Sequence, residues 1–86
     1  MNIDQALIAL CRKHDLTALS LGVSMPADRA PWFTTYAHYI MNGDRRCEGG
    51  SSATASEAIA HAIQQVNEAR ACVVDVPDME LGEVVL

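Results

Sequence analysis

Residues 32–59 read WFTTYAHYIMNGDRRCEGGSSATASEAI, and the order of signals within them decides the fold. Trp32 to Met41 is rich in aromatic and β-branched types, the composition of a strand. Asn42-Gly43 follows, and both residues tolerate the positive φ of a two-residue type I′ turn, so the chain is expected to reverse there as a hairpin. The returning strand is expected over about residues 44–48, with His38 opposite Cys47, Tyr39 opposite Arg46, Ile40 opposite Arg45 and Met41 opposite Asp44. Gly49-Gly50-Ser51-Ser52 is expected to end that strand. Thr54-Ala55-Ser56-Glu57 is a capping box, with Thr54 accepting from the Glu57 N–H and Glu57 reaching back. Ala55, Ala58, Ile59, Ala62, Ile63, Val66 and Ala69 then recur at helical spacing, which predicts a helix to about Arg70 able to lie close to a sheet.

Upstream of this stretch, residues 3–14 predict a helix with Ile3, Leu7, Leu10 and His14 on one face and Ala6 beside them. Asn2 is its expected N-cap. Asp4 in the first turn and Arg12 and Lys13 in the last suit the helix dipole. Residues 17–25 alternate: Leu19, Leu21, Val23 and Met25 point one way, Ala18, Ser20, Gly22 and Ser24 the other, the period of a half-buried strand. Pro26 and Pro31 bound a loop, since neither fits a central strand. Downstream, residues 72–76 and 83–86 could each form a short strand, with Pro77 and Gly82 between them.

The expected fold is therefore α+β: a three-stranded antiparallel sheet with two helices packed on one face, in the order α-β-β-β-α. Residues 1–70 form a single domain and residues 71–86 an acidic tail that could add a strand. Within the strand 32–41, Phe33, Thr35, Ala37, Tyr39 and Met41 are assigned to the core, and Trp32, Thr34, Tyr36, His38 and Ile40 to the open face. The inverse assignment would bury the second set instead.

Composition excludes several classes. With 86 residues, half of them hydrophobic, the chain suits one folded domain with a thin core rather than a disordered segment. No apolar run approaches the roughly 20 residues that span a bilayer, so no membrane partner is expected. The start, Met1-Asn2-Ile3-Asp4, has no basic region or cleavage site, so no signal peptide and a cytoplasmic location are expected. Cys11, Cys47 and Cys72 are odd in number and irregularly spaced, which favours three thiols over a disulfide framework. Cys11 and His14 are half of a zinc-ligand spacing without a second half, so neither a metal nor a cofactor is expected. The net charge of -5 is concentrated in the tail, where Asp75, Asp78, Glu80 and Glu83 stand without Lys or Arg. The body holds seven acids and six bases, a poor electrostatic footprint for nucleic acid.

The order of elements over residues 3–70, the Asn42-Gly43 hairpin and the Gly49-Gly50-Ser51-Ser52 entry to the last helix together resemble the double-stranded-RNA-binding domain. That resemblance implies the topology. In that family basic residues at the helix start grip phosphates, whereas Ser52-Ala53-Thr54-Ala55-Ser56-Glu57 holds no Lys or Arg. Gly50 followed by Thr54-Ala55-Ser56-Glu57-Ala58 is similar to the strand-to-helix junction of HicB-type antitoxins. The short acidic chain also resembles bacteriophage accessory proteins, many of which bind and block host machinery.

Three functional classes compete. Trp32, Tyr36, His38, Ile40 and Arg45 on the open face combine the residue types that carry binding energy at interfaces. The expected function is therefore non-enzymatic protein binding, by a phage-type accessory or inhibitor protein acting on a host protein. Apolar surface of this kind also suits a homodimer or cover by the tail strand. The same aromatics could instead stack single-stranded bases, with Arg45 as the cation. A Cys47–His38 pair could activate a thiol, since cross-strand neighbours lie about 4.5–5.5 Å apart at Cβ. No Asp or Asn is placed to orient that imidazole, and no catalytic residue is expected.

Overall fold

A computed structural model describes residues 2–84, with side chains for residues 2–71. The elements are α1 (Ile3–His14), β1 (Ala18–Ser24), β2 (Trp32–Met41), β3 (Asp44–Ser52) and α2 (Ala55–Val84). The strands form one antiparallel sheet in the order β1-β2-β3. The hairpin has the expected register, from Met41 opposite Asp44 to His38 opposite Cys47. Its turn is set by Asn42 at φ 54° and Gly43 at φ 83°, the left-handed pair that matches strand twist.

The core lies between the sheet and α2. Ala37 and Tyr39 of β2 are fully buried against Ala62, Ile63 and Val66 of α2 and Leu16 of the α1–β1 turn. Leu10, Cys11, Leu19, Met41, Ile59 and Ala69 pack around this cluster. The second set of β2 residues thus faces away from the helices.

β3 departs from expectation. It runs through Gly49 and Gly50 to Ser52 instead of ending at Glu48. Gly50 keeps the strand going because α2 crosses directly above it. A Cβ there would sit 2.5 Å from the backbone N of Ala62, 2.6 Å from the carbonyl O of Ala58 and 2.7 Å from the His61 Cβ. The glycine marks a close backbone approach, not a break.

α2 begins as its sequence indicates. The Glu57 N–H donates to Thr54 Oγ1 at 3.2 Å. The carboxylate, however, turns back to hydroxyls: Ser52 Oγ and Thr54 Oγ1 donate to Glu57 Oε1 at 2.8 and 3.1 Å. These two bonds, Ser52 first, hold the Glu57 carboxyl below the usual carboxylate range. The bounds of α2 pass Arg70, where the sequence placed its end, and take in residues 72–76, where a short strand was expected. The side chains of the acidic tail and the end of the strand expected at 83–86 lie outside the described residues.

α1 is capped at both ends but loosely docked. Asn2 Oδ1 accepts from the Gln5 N–H at 2.9 Å and Gln5 Oε1 accepts from the Asn2 N–H at 3.3 Å, a reciprocal box. Asp15, at φ 56°, ends the helix in the left-handed conformation. None of its residues is fully buried, and Ile3 is exposed despite its place on the expected apolar face. α1 meets the sheet at β1, while α2 covers β2 and β3. In consequence β1 is not the half-buried strand that its alternation predicts. Leu19 is half-buried, but Leu21 and Val23 stand exposed on the helix side because neither helix reaches them, and Met25, past the end of the strand, is exposed as well.

Among the described residues, one buried side-chain group is unsatisfied. Thr35 is fully buried on the helix side, paired with Leu21 and Gly50, and its Oγ1 has no hydrogen-bond partner. A desolvated hydroxyl of this kind costs about 1–3 kcal/mol. Thr35→Val keeps the shape and removes the orphan, so it is expected to stabilise the domain by about 1 kcal/mol. The check is a raised urea midpoint with an unchanged m-value.

Candidate functional site

The open face is a ridge with two shallow flanks. β2 supplies the ridge through Trp32, Tyr36 and Ile40, which are 47%, 50% and 45% exposed. They recur every four residues, about 13 Å apart along a strand. The flanks are small. Ser24 lies beside Trp32, Ser20 beside Tyr36, and Ala18 beside His38 on the β1 side. On the β3 side, Ser51 pairs with Thr34, Gly49 with Tyr36, and Cys47 with His38.

Each ridge residue has a local reason for its position. Tyr36 leans over Gly49: a Cβ at that glycine would be 3.1 Å from Tyr36 Cε1 and 3.3 Å from Cδ1. A glycine on the edge strand thus makes room for the ring of the central strand. Ile40 pairs with Arg45 across the hairpin, which places one exposed guanidinium at the turn end of the ridge. At the other end the 25–31 loop folds back beside Trp32, forming a groove lined by Ser24, Met25, Pro26, Arg29, Ala30 and Trp32. Arg29 was not singled out from the sequence, because a loop bounded by two prolines carries no period from which to place a side chain. Its guanidinium lies 3.6 Å from the Asp28 carboxylate, and both are exposed, so the pair adds little fixed charge.

His38 and Cys47 are neighbours, as the register predicts. The sulfur lies 3.9 Å from His38 Nε2. His38 is half-buried and Cys47 exposed; His38 lines a shallow concavity with Ala18, Ile40 and Arg45, which does not include Cys47. No carboxylate is hydrogen-bonded to the imidazole among the described residues. All five residues expected to form a contact surface, Trp32, Tyr36, His38, Ile40 and Arg45, lie on this face. No group of His, Cys, Asp and Glu spaced to hold a metal occurs among the described residues.

The start of α2 has different chemistry. Its N-terminus, where a helix presents unpaired N–H groups to an anion, already faces the Glu57 carboxylate held by Ser52 and Thr54. His61 follows one turn later, with Nδ1 3.1 Å from the Ser51 carbonyl O. A carboxylate therefore sits at the start of this helix, with no Lys or Arg in residues 51–61 to offset it.

No family model matches this chain, and neither a curated protein nor a solved structure matches it. The α-β-β-β-α topology is thus established by the structure itself. Among the described residues, no helix is long and apolar enough to cross a membrane.

Proposed function

We propose that this chain is a small non-enzymatic protein-binding module whose contact surface is the open sheet face. The observation that carries this reading is the line of Trp32, Tyr36 and Ile40, each about half exposed on the central strand of the sheet. A central strand is held on both sides, so these side chains are presented at fixed spacing and lose little freedom on binding. Large aromatics with small neighbours on both flanks suit insertion into pockets of a partner, with His38 and Arg45 adding polar contacts. The size and acidity of the chain support an accessory or inhibitor protein of bacteriophage type, acting in the cytoplasm on a host protein.

The resemblance to the double-stranded-RNA-binding domain is one of topology. The Glu57 carboxylate at the start of α2 opposes phosphate binding there, which favours a protein over a nucleic acid as partner. The likeness to HicB-type antitoxins rests on the same strand-to-helix junction, whose residues serve as a cap.

The test is the affinity of the partner captured from the native host for wild-type chain and for Trp32→Ala. A buried aromatic anchor is worth at least about 2 kcal/mol, so affinity should fall about 30-fold while the far-ultraviolet spectrum is unchanged. Unchanged affinity would remove the ridge from the interface. Salt-dependent retention of single-stranded oligonucleotides would assign the face to base stacking. Rapid alkylation of Cys47 at neutral pH would favour the thiol chemistry of the Cys47–His38 pair.

A further inference from the structure

β1 is an edge strand without the protection that edges usually carry. Among the described residues nothing pairs beyond it in the sheet, so alternate backbone N–H and C=O groups along Ala18–Ser24 point outward. The strand holds no charged residue and no proline, and its register with β2 runs from Ala18 to Ser24 without a bulge. The opposite edge, β3, carries Asp44, Arg45, Arg46 and Glu48. Charges, proline and bulges are the devices that keep an edge from pairing, and β1 has none of them.

The helix side of the same strand carries a matched pair of features. At its C-terminal end Val23 projects, 53% exposed. Near its N-terminal end lies a trough between α1 and the sheet, lined by Leu7, Ile8, Cys11, Leu16 and Leu19 together with the exposed Arg12 and Asp15. Projection and trough sit at opposite ends of one strand. An antiparallel two-fold axis brings one against the other, twice.

We propose that a second copy of this chain pairs with β1 along its free edge, antiparallel, about a two-fold axis at Leu21. Leu21 is the midpoint of Ala18–Ser24, so full overlap places Leu21 opposite its own copy and Leu19 opposite the second copy's Val23. Residues directly opposite in an antiparallel pair point to the same face. The second copy's Val23 therefore enters the trough beside Leu19, and the exchange is repeated by symmetry, as an isologous contact requires. An uncharged strand pairs with itself without repulsion. The two three-stranded sheets become one of six strands, and the ridges of Trp32, Tyr36 and Ile40 from both copies face the same way. This contact is separate from the open-face surface proposed above.

The test is sedimentation velocity over a range of concentrations for the wild-type chain, Leu21→Lys and Leu21→Glu. The wild type should be a dimer that dissociates on dilution. Each variant should be monomeric, because overlap sets two like charges about 4.5–5.5 Å apart at Cβ. Mixing the two variants should restore a dimer. A wild type that stays monomeric at the highest concentration reached overturns the proposal, as do Leu21 variants that dimerise like the wild type. A dimer abolished by Trp32→Ala but kept by Leu21→Lys would place the contact on the open face and overturn it as well. If the Leu21 variants unfold, amide exchange of the wild type decides: alternate β1 amides should gain protection as concentration rises, and concentration-independent exchange counts against the pairing.

Discussion

Gly50→Ala is expected to cost the domain about 3 kcal/mol, the upper part of the range for forcing an extra methyl into a packed core. The new Cβ would meet the Ala62 N at 2.5 Å, the Ala58 O at 2.6 Å and the His61 Cβ at 2.7 Å, and two of these are backbone atoms of α2. Backbone inside a helix cannot swing aside, so the whole helix must lift from β3. Lifting it withdraws Ala58, Ala62, Ile63 and Val66 from the core that they form with Ala37 and Tyr39. A small domain has little more than about 3–5 kcal/mol to lose, so Gly50→Val should leave it largely unfolded at room temperature. Urea denaturation followed by circular dichroism measures both effects. Gly49→Ala is the control. Its methyl would crowd the edge of the Tyr36 ring, at 3.1 Å, which can turn away because the ring is exposed, and would lie at ordinary contact distance, 3.7 Å, from the Thr35 carbonyl O. That variant should change stability by no more than about 0.5 kcal/mol. If Gly50→Ala proves equally mild, α2 does not lie against β3 as described.

Arg70→Ala is expected to release α1 from the rest of the domain, at a cost of about 2 kcal/mol. Arg70 projects from α2 and donates from Nη1 to the His14 carbonyl at 2.8 Å and from Nη2 to the Asp15 carbonyl at 3.0 Å. Both acceptors lie at the C-terminal end of α1, where carbonyls lack helical partners and the helix dipole favours a cation. The guanidinium also lies over the Tyr39 ring, 5.0 Å from its centroid. Tyr39 is fixed in turn by donating its hydroxyl to Glu48 Oε2 at 2.7 Å. Burial, and after it this carboxylate, push the Tyr39 phenol above its ordinary value, so it stays a neutral donor at physiological pH. α1 has no fully buried residue of its own, so this clamp carries much of its attachment. Hydrogen exchange should show α1 amides opening while those of β2 and β3 remain protected. Arg70→Lys should recover less than half of the loss, because a single ammonium cannot bridge two carbonyls and stack on a ring at once. Unchanged protection of α1 in Arg70→Ala would show that Leu10 and Cys11 hold the helix without it.

These two residues illustrate what could and could not be read along the chain. The hairpin register was legible because turn chemistry is local: Asn42 and Gly43 need only their own φ to reverse the chain, and every pair from Met41–Asp44 to His38–Cys47 follows by counting. The apolar stripe of α2 was legible because helical period sorts residues by face, and Ala58, Ala62, Ile63 and Val66 are all buried. The same reasoning failed for β1. Its alternation is clean, but alternation states only which side chains share a face, not whether a helix arrives to cover them. Leu21, Val23 and Met25 stayed exposed, and the trough beside Leu19 could not be foreseen. At the candidate site the residue types and their shared face were readable, whereas the groove at Trp32 and the place of Arg29 depended on how the 25–31 loop folds back.

By itself, then, the sequence determined the element order, the hairpin turn, the two helix starts and the stripe that α2 buries, since each follows from interactions within a few residues. The tertiary structure decided which face of β2 is the ridge. Both of its residue sets are apolar enough to be core, and the choice falls to the helix that crosses Gly50 and accepts Thr35, Ala37 and Tyr39 beneath it. It also decided that Gly49-Gly50 is strand and that Arg70 closes over α1, carbonyls 55 and 56 positions away. The physical reason is the same in each case: a glycine's missing methyl, or an arginine's reach, acquires meaning only from the atoms that distant parts of the chain bring beside it.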